Sequence, residues 1–175
     1  GANDGYYKLW INDVLVDTIS GINSDTSNID SVALGLNSSV PANSTGSVYL
    51  DAFVSRQGDH IGIDANGPVL SEPLADLIFR DSFESNDFTL WSSTELDGGD
   101  LSLSSSSAMF GSYGMQALID DTVAIQVEDT SPNNASEYHT RFYFDPNSLS
   151  IPLNNGFSIF HGGDYDTGWA FRLML

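Results

Sequence analysis

Chemistry in this sequence has to come mostly from oxygen. There is no cysteine, which removes disulfides, thiol catalysis and thiolate metal sites together. The three histidines, His60, His139 and His161, lack the spacing of a metal-ligand set. Acids dominate: 24 of them leave a formal net charge of −19 against Lys8, Arg56, Arg80, Arg141 and Arg172. Such a surface attracts cations, calcium first, because calcium is hard and takes carboxylate and carbonyl oxygen. It repels phosphate backbones and anionic headgroups, so nucleic acid and membrane surfaces are not expected as partners. Glycoside hydrolysis needs two carboxylates facing one bond. Glu72, Glu84, Glu95, Glu128 and Glu137 are not paired at alternate positions of a strand, and Asp164 and Asp166 lie two apart among glycines. No enzyme is expected.

Two local groupings remain. Asp51 shares a strand face with Tyr49 and Phe53. It is either a half-exposed strand acid or a buried one that needs hydrogen bonds, an arginine or a metal ion to compensate it. Trp169 and Tyr165, with His161 at the head of a glycine-rich loop, form a candidate platform for stacking a sugar, and polysaccharide is the ligand it would take. Tryptophan is also a core residue, and Trp10 and Trp91 are read that way. Asn37, Asn43 and Asn134 begin N-x-Ser/Thr triplets, which matter only in a host that glycosylates them.

The elements that must position these residues are strands. Tyr6–Ile11 and Val14–Val16 flank Asn12-Asp13, a pair tolerant of positive φ, and so read as a hairpin. Asp30–Leu36 puts Val32, Leu34 and Leu36 on one face. Ser47–Ser55 alternates Val48, Leu50, Ala52 and Val54 against Tyr49, Asp51 and Phe53. Further strands are expected over 101–103, 124–127, 138–144, 157–160 and 169–175, with 161–168 as a loop between the last two. No amphipathic helix is visible. Short strands with turn signals between them indicate an all-β antiparallel sandwich. Hydrophobic residues at 41% suit a globular protein.

The order of the pieces is unusual. Gly67, Pro68 and Pro73 punctuate a seam, dividing the chain into 1–66, a proline-containing linker 67–80, and 81–175. The second piece resembles the opening of laminin-G-like and concanavalin-like jelly rolls of bacterial surface proteins. The likeness lies in Phe83-Glu84-Ser85 with Trp91, Gly98-Gly99-Asp100-Leu101-Ser102, Gly111-Ser112-Tyr113-Gly114-Met115 and Arg141–Pro146. The first piece resembles the closing half, in Gly5–Asp13, Ile29–Gly35 and Tyr49–Phe53. The resemblance implies a jelly roll with its strands in permuted order, finish before start. It also implies a structural calcium ion near Asp81 or Glu84 with Asp51. A chain that begins at Gly1 and ends on an apolar strand is read as one window on a tandem array, the alternative being a permuted, trimmed sandwich whose two parts complete each other. The expectation is therefore an extracellular, non-catalytic repeat joined head to tail with other copies of itself in a surface fibre. Trp169–Leu175 and Leu77–Phe79 are the edges needing partners, and a carbohydrate-binding module is the alternative.

Overall fold

The computed structural model describes residues 3–25, 27–38, 40–58, 60–62, 76–164 and 168–175. In chain order the strands are β1 (Gly5–Ile11), β2 (Val14–Ile22), β3 (Ser31–Leu36), β4 (Gly46–Arg56), β5 (Leu77–Asp81) and β6 (Ser93–Glu95). There follow β7 (Leu101–Ser104), β8 (Gly114–Ile119), β9 (Ile125–Asp129), β10 (His139–Asp145), β11 (Ser158–Asp164) and β12 (Gly168–Met174). Every strand pairing is antiparallel. The only helical piece among the described residues is a single 3₁₀ turn, Asp97–Gly99.

Two five-stranded sheets form a β-sandwich. In one, β4 pairs with β10 along one edge and with β8 and then β5 along the other, and β7 flanks β8. The second runs β12-β11-β3-β9-β6. Strands from both sides of the seam share each sheet: β3 lies between β11 and β9, and β4 between β10 and β8. The pieces 1–66 and 81–175 thus complete one another. Of the expected linker, Leu77–Arg80 is in fact part of a strand, β5, hydrogen-bonded to β4; residues 67–75 lie outside the described residues.

The core sits between the sheets, where alternating strand residues lose contact with water together. Val32, Leu34 and Leu36 of β3 meet Val48, Leu50 and Phe53 of β4 in one buried cluster. Trp91 is buried in it, as expected, stacked on Phe83 with ring centroids 6.2 Å apart and tilted against Phe53 at 5.3 Å. Trp10 is different. It stands on the hairpin and stacks on His60 at 4.3 Å instead of joining the core.

Two sequence expectations fail for identifiable backbone reasons. In β4, Ala52 takes φ 51°, and the pairing with β10 slips between Arg141 and Tyr143. This β-bulge resets the alternation, so Phe53 joins Val48 and Leu50 in the core and parts company with Asp51. Residues 161–163 are the second case. They continue β11 as strand to Asp164, where a loop was expected. Their glycines serve close approach: a Cβ on Gly162 would lie 2.8 Å from the Phe171 ring, and one on Gly163 would clash with the Gly168 carbonyl oxygen.

The hairpin β1–β2 stands apart as a two-stranded sheet. Asn12 and Asp13 turn it with φ of 51° and 61°, the paired positive values of a type I′ turn. It is tied to the sandwich by the Tyr7 hydroxyl, which donates to the Ala170 carbonyl at 2.7 Å, and by Tyr7 against Phe171.

Candidate functional site

The three acids implied as metal ligands are held by N–H groups. Asp51 is fully buried on β4, facing away from the core, and its Oδ2 accepts from Met109 N and Phe110 N at 2.8 Å each. The half-exposed strand acid is not found, because the 107–113 loop covers Asp51, and the face shared with Phe53 is lost because the Ala52 bulge turns Phe53 inward. Glu84 grips the same loop, accepting from Ser112 N at 2.8 Å and Tyr113 N at 3.0 Å. Asp81 ends β5, where Oδ1 accepts from Phe83 N at 2.7 Å and Oδ2 from the Trp91 indole at 2.8 Å.

Burial pushes the carboxyls of Asp51 and Asp81 above the ordinary range, although their N–H donors pull the other way. Asp51 and Glu84 thus meet at one loop, while Asp81 is turned to the tryptophan. Among the described residues no group of three His, Asp or Glu side chains is placed to hold a metal ion. The one buried carboxylate oxygen of the three left without a partner is Asp51 Oδ1.

His161 and Trp169 come together on the outer face of the second sheet. The register places Arg172, His161, Ala33, Glu128 and Ser93 side by side across its five strands. Trp169 joins that face because of a second bulge: Trp169 opposes Gly163 while Phe171 opposes Gly162, so Ala170 is the extra residue. The Trp169 ring lies over His161 with centroids 3.7 Å apart, and the Arg172 guanidinium stands 5.5 Å from the Trp169 ring. His161 is buried while Trp169 is 53% exposed, so much of the indole is open to solvent. Burial, with Arg172 beside it, pulls the His161 pKa down to about 4. The imidazole is therefore neutral at neutral pH, able to donate from one nitrogen and accept at the other. Tyr165, the third expected member, lies outside the described residues.

Sequence reading stopped the second hairpin strand at Val16, but β2 continues to Ile22, exposed along nearly its whole length. The signal was there in Thr18-Ile19-Ser20, which continues a β-prone run. Ile11, Val14, Leu15, Val16 and Ile19 put large apolar side chains in water, Val14 being 62% exposed.

Compared with protein-family models, with curated proteins and with solved structures, the chain matches none.

Proposed function

We propose that this chain is a non-catalytic, extracellular structural repeat, a laminin-G-like β-sandwich module that joins head to tail with copies of itself in a surface fibre. The observation that carries this reading is the unsealed apolar hairpin. A sandwich with a buried core nevertheless leaves five large apolar residues of β1 and β2 in water, and Trp169, Met174 and Leu175 of the β12 segment are exposed as well. Exposed apolar side chains on a strand with an open edge are what a partner covers. The charge of −19 suits an outward-facing, soluble assembly. Negative-stain microscopy of the native material tests the reading. Regular filaments with a constant axial repeat are the expected result, and separate globular particles overturn it.

The pairing of Trp169 with His161 favours a second reading, a carbohydrate-binding module. A half-open indole beside a neutral imidazole and Arg172 offers a stacking surface with hydrogen-bonding groups at its rim. Isothermal titration with neutral polysaccharides should show saturable binding that Trp169→Ala abolishes. Binding that survives this substitution, or no binding at all, removes the reading.

A further inference from the structure

We propose that β2 is a lateral contact between two copies of this chain, the strands pairing antiparallel about Ile19 so that two hairpins fuse into one four-stranded ribbon. The inference rests on the self-assembly reading only in needing copies to meet, and the contact is side by side where that reading is head to tail. β2 pairs with β1 along one edge, and no strand covers the other among the described residues. The other edge strands are shorter or carry arginine: β6 has three residues and ends on Glu95, β7 has four residues, and β5, β10 and β12 hold Arg80, Arg141 and Arg172. β2 has nine residues and carries no proline or lysine, which are common guards of an edge. Its register with β1 slips twice, between Gly5 and Tyr6 and between Leu9 and Trp10, which leaves Asp17–Ser20 as the regular centre.

Charge decides the occupant. The hairpin sets Lys8 against Asp13 and Asp17, one net negative charge, while the whole chain carries −19. A basic partner would be drawn to the acidic sandwich and not to this nearly neutral fin. For a second acidic copy, the hairpin is where approach costs least. β1 holds the sandwich through Tyr7 and Trp10, and β2 is the solvent-facing strand. Pairing edge to edge therefore inserts three strand spacings, about 14 Å, between one β1 and the other. That exceeds the Debye length of roughly 8 Å at physiological salt, so the two acidic bodies are largely screened from each other.

The sequence of β2 is self-complementary in this register. Ile19 meets Ile19, Thr18 meets Ser20, Val16 meets Ile22, and Asp17 meets Gly21. Apolar faces apolar and hydroxyl faces hydroxyl, pairs that favour a ladder, whereas centring on Asp17 would oppose two acids. Seven facing residues make a small interface, so the association is weak and is read at high concentration.

Sedimentation equilibrium of the full chain, from about 10 µM to 1 mM given the small contact, is the test. The mass should rise from 18.9 kDa to at least twice that value. Ile19→Asp and Ile19→Lys each oppose two like charges and should weaken dimerisation at least tenfold. Mixing the two variants should restore it, because Asp then faces Lys. Ile19 is 56% exposed, so both variants should keep the near-ultraviolet circular dichroism of the parent. A chain monomeric at every concentration, Ile19 variants that associate as strongly as the parent, or a mixture no better than its components overturns the proposal. A failed dimer alongside filaments in the native material leaves the head-to-tail reading standing; failure of both removes both.

Discussion

β3 and β2 are made of similar residues and meet opposite fates. Ser31–Leu36 is buried at all six positions; Val14–Ile22 is exposed at eight of nine. Both are rich in branched and small side chains, and local propensity does not separate them. What separates them is cover. β3 has β11 and β9 on its edges and β4 in the sheet opposite, while β2 has β1 on one edge and, among the described residues, no strand on the other. The comparison teaches that an apolar strand reports a wish for burial, and the topology decides whether this chain grants it.

Core truncation should break the comparison hardest on the buried side. Phe53 touches Phe79, Trp91, Phe142 and Phe160 at once. Phe53→Ala should cost about 4 kcal/mol in urea unfolding; a loss below about 1 kcal/mol would mean that this cluster is not tightly packed. Asp51→Ala should come next, at about 3 kcal/mol, because it leaves the amides of Met109 and Phe110 without their acceptor.

Acidity sharpens the contrast in another way. Burial raises the carboxyls of Asp51, Asp81 and Asp129, all of them in the sandwich. Between the ordinary carboxylate value and the raised one, the folded chain binds more protons than the unfolded chain. Stability therefore falls as pH climbs through that window and stays lower above it. The melting temperature should rise as pH drops from 7 towards the ordinary carboxylate range, and Asp51→Asn should flatten that slope. A melting temperature that falls over this range contradicts the assignment. On the hairpin the effects shrink. Tyr7→Phe should cost about 1 kcal/mol and speed amide exchange in β1 before anything happens in β4. Val14→Ala should stay within about 0.5 kcal/mol, and a larger loss would show that the fin is covered after all.

Much of this architecture can be read in the residues. Asn12-Asp13 between two apolar runs announces the hairpin, and Val32, Leu34 and Leu36 announce the buried face of β3. The seam at Pro68 and Pro73 separates two pieces that do interleave in the sandwich. The bulges are what cannot be read. An alanine at positive φ carries no mark of its own, so Ala52 hides the turn that sends Phe53 inward, away from the face of Asp51. Gly162-Gly163 looks like a loop because glycine is the usual residue of loops, yet here it lets the Phe171 ring and the β12 backbone come close. The same side of the sheet shows why Trp169 and His161 could be paired on paper but not oriented: their shared face depends on the extra residue at Ala170. Asp51, Glu84 and Asp81 were legible as acids at a junction, but the amides that hold them come from segments far away in sequence.

The three indoles sit at three depths: Trp91 sealed in the core with its nitrogen on Asp81, Trp10 half covered by His60, and Trp169 open to solvent. The molecule thus carries its own optical depth gauge. A small neutral quencher such as acrylamide should dim the bluest-emitting indole last, and an anionic one such as iodide should be held off by the surrounding field. Fluorescence alone can then tell whether a given perturbation opens the fin or the sandwich.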